Sequence, residues 1–236
     1  MKLLTTSILV LFLTNATLAQ HLGFGAKGGL LVGTQKNKRA LISYHADVFF
    51  ESMGKWQGEA LKRRIGYVIQ AGYHRRGASY NNGLFGSNNN FVVSDLFHNI
   101  VVSALLKGSF EVGKFAPYYA AGLRLEITPD SSFSQVVNPR DAQGVTPVNF
   151  GLWLGGGIEW EPPNSPLGIF LELNISPDLT PQIFFPKGTQ VQYPDYFNPG
   201  STRVEQFQED YRILNLSIEL SLGIKFLLKK QAKPIE

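Results

Sequence analysis

His45 and His74 each sit in a run where most alternate residues are small or polar. Each has a charged residue two positions on, Asp47 and Arg76. Imidazoles beside carboxylates can ligate a metal or relay a proton. Neither histidine belongs to a dense ligand spacing such as HExxH, so the expected role is a hydrogen-bonded network inside the fold, with no metal and no cofactor assigned. A second group, Ser94, Asp95 and His98, has the residue types of a nucleophile, an orienting acid and a base. Geometry rather than chain order defines a triad, so a lipid-modifying enzyme at the rim of the fold stays open as an alternative. The many carboxylates can in principle pair as general acid and base, as in glycosidases. They are spread over many segments with cations between them, however. Lys27, Asp47, Arg76, Lys107, Arg124, Glu126, Glu159, Glu172, Glu219 and Lys225 read instead as one charge-paired network, with Glu51 and Glu111 on the same parity. GFGAKG (Gly23–Gly28) matches GxGxxG only formally, because no strand precedes it and no helix follows.

The elements that must position these residues announce themselves by alternation. In LNLSIELSLGIKF, Leu214, Leu216, Ile218, Leu220, Leu222, Ile224 and Phe226 are apolar, and the residues between them are polar or glycine. Period two is the signature of a strand with unlike faces. Comparable runs cover 22–34, 42–51, 65–74, 100–111, 118–127, 149–160 and 168–176. Most are about nine residues or longer, the length a tilted membrane strand needs. An even number of strands lets an antiparallel meander close on itself. The expected fold is therefore all-β, an eight-stranded antiparallel up-and-down transmembrane barrel of the outer-membrane type.

Which face meets which solvent follows from bulk. An eight-stranded lumen has room only for the side chains that fill it. The apolar face carries Leu, Ile, Phe, Tyr or Trp at nearly every position of the eight runs, too much volume for the inside. The other face is Gly, Ala, Ser and Asn with charges of both signs, which suits a narrow lumen. Aromatic residues near strand ends, Phe50, Tyr73, Phe110, Tyr119, Trp160 and Phe226, fit girdles at the two water interfaces. On this reading Leu220→Arg is costly, and Ser221→Arg is tolerated if the arginine finds an acid in the lumen.

Connections differ in length. The links 113–116 and 161–166 are tight and belong to one end. The segments 77–97, 128–147 and 177–212 are long and belong to the other, as in barrels with long loops outside the cell. Two links fit this less well: 35–41 is short for an outer loop, and 52–64 is long for a turn, with a helical turn expected at 55–62. The loop 177–212 holds Phe184, Phe185, Tyr193, Tyr196, Phe197 and several prolines. These are the expected interaction residues, unless the loop folds over its own mouth as a lid.

Charged residues are only 17% of the chain, consistent with a surface that does not all face water. No apolar run outside the first residues is long enough for a membrane helix. Lys2, an apolar stretch from Leu3 to Thr14, and small residues at Thr17 and Ala19 read as a signal peptide over 1–19. Its removal takes the formal net charge from +4 to +3, too little and too dispersed for nucleic acid. Residues 20–228 are expected to form the barrel and 229–236 a short periplasmic tail. Cysteine is absent, so there is neither a disulfide nor a lipidated cysteine.

The chain resembles the PorT-like outer-membrane β-barrel family of Bacteroidota. The resemblance lies in GFGAKGGLLVG, SYHADVFFE, GYVIQAGYHRRGASY, LLKGSFEVGKFAPYYAAGLRLEI, GLWLGGGIEW and the final strand. It implies a small eight-stranded barrel and, for some relatives, service in type IX secretion. The LLKKQAKPIE extension departs from barrels that end on a terminal aromatic. The resulting expectation is a non-enzymatic barrel in the outer membrane of a Gram-negative bacterium. Its expected contacts are membrane lipid or lipopolysaccharide and an envelope protein partner, made through the long loops. A narrow porin-like channel is the alternative.

Overall fold

A computed structural model of the chain describes residues 21–36, 38–56, 63–82, 91–133, 141–162, 165–195, 198 and 200–229. The signal segment 1–19 and most of the tail, 230–236, lie outside them. In chain order the strands are β1 (His21–Gln35), β2 (Arg39–Trp56), β3 (Arg63–Asn82), β4 (Phe91–Phe110), β5 (Phe115–Ser132), β6 (Val148–Trp160) and β7 (Leu167–Pro177). Four short strands follow: β8 (Ile183–Phe185), β9 (Gln190–Pro194), β10 (Thr202–Gln206) and β11 (Tyr211–Ile213). The last is β12 (Asn215–Lys229).

β1 to β7 and β12 close into one antiparallel barrel, each long strand pairing with its neighbours in sequence and β12 returning to β1. Closure leaves no strand of the barrel as an edge, the condition for spanning hydrocarbon with strands. The short strands form two separate hairpins, β8 with β11 and β9 with β10, inside the connection between β7 and β12.

The alternation has the orientation that crowding demands. Leu216 and Leu220 are 39% and 46% exposed on the outside, whereas Ser217 and Ser221 are fully buried inside. Aromatic residues ring both ends of the outer wall. Phe24 stacks on Phe226 at 5.5 Å between ring centres, with Phe50 opposite Phe24 in register, and Tyr44 meets Tyr73 at 6.2 Å near the other end. Such a surface is unfavourable in water and favourable in lipid.

Several strands outrun their alternating segments. β3 and β4 stay paired from Arg63↔Phe110 to Asn82↔Phe91, so the loop expected over 77–97 shrinks to 83–90, outside the described residues. Alternation marks only the part of a strand with lipid on one side; the hydrogen-bond ladder continues into water. For the same reason β5 runs to Ser132, and a 3₁₀ turn at Asp141–Gly144 occupies part of the segment expected as loop. The expected helical turn at 55–62 is corrected at its start, since Lys55 and Trp56 extend β2; 57–62 lie outside the described residues. The β4–β5 turn is tight because Gly113 adopts φ +63°, which glycine alone takes without strain. It lets Val112 and Phe115 pair across it.

Candidate functional site

Inward residues follow one another along each strand, so a strand lists the layers of the lumen in order. Along β2 these are Glu51, Phe49, Asp47 and His45; along β3, Val68, Gln70, Gly72, His74 and Arg76. β12 adds Lys225, Gly223, Ser221 and Glu219. The lumen thus divides into a lysine–glutamate layer, an apolar belt and an arginine–histidine–acid layer.

In the first layer Lys107 Nζ lies 2.6 Å from Glu51 and 2.5 Å from Glu159. Lys225 Nζ lies 3.0 Å from Glu51 and 2.6 Å from Glu159, so two cations clamp the same two anions. At the border with the belt Lys27 pairs with Glu172, whose other oxygen accepts from the Tyr118 hydroxyl at 2.7 Å. At the turn end Lys225 also meets Glu161 at 2.8 Å, and Arg64 bridges Glu161 and Glu111. Burial pushes the Glu161 carboxyl up, but Lys225 and Arg64 outweigh this and hold it below the usual carboxylate range. Glu111 therefore belongs to the turn and not to the lumen, a correction to its parity-based placement.

The belt consists of Phe49, Val68, Leu105, Ala120, Trp153 and Phe170. Trp153 fits because its register partner across the ladder is Gly122. A void of about 20 Å³ remains beside the belt, room for about one water.

Above the belt Arg76 donates to Glu126 at 2.5 Å and to Asp178 at 3.0 Å. Arg124 reaches the same two acids at 2.7 and 2.8 Å, and Asn99 donates to Glu126 at 2.8 Å. Below them His45 and His74 face each other in register and share Asp47, each at 2.9 Å. Glu219 lies 3.4 Å from the other ring nitrogen of His74, Nδ1, and accepts from Asn174 at 3.1 Å. Asp178 was not foreseen as a lumen group. It stands two residues past Ser176 and continues the inward parity beyond the end of β7, the signal by which it was findable.

Apart from Glu111, the charged residues expected in the lumen are buried there, but they form two assemblies. Lys27, Lys107, Glu159, Glu172 and Lys225 gather below the belt or at its border. Asp47, Arg76, Arg124, Glu126 and Glu219 gather above it.

The loop residues divide differently. Phe185 is 4% exposed and packs with Phe97, Ile183, Val191, Phe207 and Ile213 in a cap at the end of the barrel. Beneath it Gln182 donates to Thr128 and accepts from Asn215, tying the cap into the rim. Phe185 is thus a packing residue of a lid and not an open contact surface. Phe184 is half-buried under Arg212, and Tyr193 donates to Glu205 at 3.2 Å. Tyr196 and Phe197 lie outside the described residues. The rim triad is not assembled: Asp95 is buried inside, paired with Lys38 at 2.7 Å, while Ser94 and His98 occupy the outward parity. His98 instead meets the Tyr73 hydroxyl at 2.5 Å. There is also no space for an arginine at Ser221, which sits against His45 at 3.1 Å, so Ser221→Arg is not the tolerated change expected from parity alone.

Strand order, closure and inverted polarity define the class: a small eight-stranded barrel of the outer-membrane type. No family model and no curated protein matches the chain. Among solved structures it is similar to Ail, the attachment invasion locus protein of Yersinia pestis, solved in complex with the heparin analogue sucrose octasulfate. The two share 10% identity and a TM-score of 0.40, over 87% of this chain and 98% of that one. At that distance the class rests on this barrel's own register and burial.

Proposed function

We propose that the chain is exported through a signal peptide at 1–19 and acts as a non-enzymatic, non-conducting barrel of the Gram-negative outer membrane. Its role is structural and one of interaction through the long loops, with the capped end facing outward to lipopolysaccharide or an envelope protein. The carrying observation is the inversion of faces: an unbroken hydrocarbon wall outside and paired charges inside. The filled lumen supports the absence of conduction, and the separated Ser94, Asp95 and His98 support the absence of rim catalysis. The PorT-like resemblance, and with it type IX secretion, is a narrower reading that rests on the quoted sequence segments.

Fractionation of the producing cell tests the placement. The expected result is recovery in the outer membrane, with migration that shifts on heating; recovery in the soluble fraction without detergent rejects it. Planar-bilayer recording is expected to give no stable channel. For the partner, the lack of native cysteine allows a photo-cross-linker at Val204→Cys, on an exposed position of the cap. Capture of lipopolysaccharide or of one envelope protein in intact cells is expected. Equal labelling from a cysteine placed at the turn end, at Val112, counts against an outward-facing cap.

A further inference from the structure

The upper lumen is short of positive charge. Glu126, Asp178 and Glu219 face two permanent cations among the described residues, Arg76 and Arg124, while Asp47 is met by His45 and His74 and has in register only Lys27, which pairs with Glu172. The lower lumen has no such deficit, since three lysines meet three glutamates. Burying unbalanced carboxylates is expensive, so something must supply the missing charge.

Hydrogen bonding shows where it belongs. Asp47 accepts from His45 Nδ1 and from His74 Nε2, one oxygen to each at 2.9 Å. In a neutral imidazole that donation fixes the tautomer and leaves the other nitrogen as a lone pair. These are His45 Nε2, which meets the Ser221 hydroxyl at 3.1 Å, and His74 Nδ1. His74 Nδ1 lies 3.4 Å from Glu219 Oε1, and both are buried without a hydrogen-bond partner. Two facing acceptors need a cation between them. Their separation matches the ~3.3–3.4 Å edge of a tetrahedron with metal bonds of about 2.0–2.1 Å. Donor atoms of His45, His74 and Glu219 all lie within 4.8 Å of one another.

The backbone is cleared for this group. A Cβ on Gly72 would stand 2.2 Å from Asp47 Oδ1, so any side chain there displaces the carboxylate. Gly29 pairs in register with both His45 and Ser221, and its missing side chain lets those residues meet across β1.

We propose that His45, His74 and Glu219 form a site for a divalent transition metal of the zinc class inside the barrel, with Asp47 as its positioning carboxylate. Two imidazoles and one carboxylate are a common zinc donor set. A carboxylate behind metal-bound histidines orients the rings and raises their basicity. One divalent ion cancels the charge deficit, so the metal is a staple that joins β2, β3 and β12. Ligands must be deprotonated and brought together by folding, so the ion is acquired as the barrel closes.

The test uses the full-length, tag-free chain folded in detergent with Zn²⁺, then passed over a chelating resin. About one zinc per chain is expected in the wild type, and stoichiometric zinc is lost in Glu219→Gln and His74→Gln. Asp47→Asn keeps the ligands and is expected to weaken binding about 10- to 100-fold. Zinc K-edge absorption of the wild type guards against variants that fail to fold; scattering from two imidazoles is expected. Absence of retained zinc in the folded wild type, undiminished zinc in the folded ligand variants, or a spectrum without imidazole overturns the site. Two extra protons on the histidines would then balance the charge. The outcome is independent of where the barrel resides in the cell, because it depends on the lumen alone.

Discussion

The two ends of the lumen hold similar numbers of charges and solve the burial problem differently. Below the belt, flexible lysines pair with glutamates one for one, and Lys107 and Lys225 each touch both Glu51 and Glu159. Above it, planar guanidiniums and imidazoles meet an excess of carboxylate, and Arg76 Nε, Arg124 Nη1 and His74 Nδ1 are buried without a hydrogen-bond partner. A balanced ion-pair cluster fills space and fixes register. An unbalanced one with unspent donors and acceptors retains chemistry. The lower layer is therefore read as a plug, and the upper as the part of the lumen built to hold something.

Removing a permanent cation from the deficient end has the largest expected effect. Arg124→Met strips a partner from Glu126 and Asp178, and the loss is expected to be about 3–5 kcal/mol in a denaturant titration of the folded, heat-modifiable form. A cost near zero would mean that the upper acids are not ionised. The outer wall comes next: Leu220→Arg at mid-strand is expected to cost about 2–4 kcal/mol in a bilayer, and much less in a water-soluble setting.

A sharper contrast uses one chemical change at both ends. Glu159→Gln removes the anion that Lys107 and Lys225 share and is expected to destabilise by about 1.5–3 kcal/mol. Glu219→Gln in metal-free protein relieves surplus negative charge, so its cost is expected to fall well below that of Glu159→Gln. Equal losses would erase the proposed difference between the layers. The smallest effect is at the turn end. Glu161 is held below its ordinary range by Lys225 and Arg64 despite burial, so its contribution is present at neutral pH. It is lost as pH falls through the depressed folded-state value. Comparing wild type with Glu161→Gln from neutral to acid pH should show a gap of at most about 1 kcal/mol that closes on acidification.

The barrel was legible because period two maps directly onto two faces. Ser217, Glu219, Ser221 and Lys225 are buried and Leu216, Ile218, Leu220, Leu222, Ile224 and Phe226 face outward, as the alternation in that strand requires. The ends of β3 and β4 were not legible, since a strand leaving the lipid layer keeps its ladder but loses its hydrophobic contrast. The aromatic loop was legible as unusual, with contact surface and lid both open; only the neighbours of Phe185, Phe97 and Phe207, decide for the lid.

The sequence by itself determined that the chain alternates, that its bulky face points away from the axis, and that charges of both signs share the interior. Those properties are local, set by the direction of successive side chains along one strand. Only the tertiary structure decided which charges meet. Lys225 finds Glu51 across 174 residues, and His45 faces His74, through register and closure rather than spacing. A shift of one residue in that register would turn each of these groups to the lipid, so the partners are a property of the closed ring and not of any strand within it.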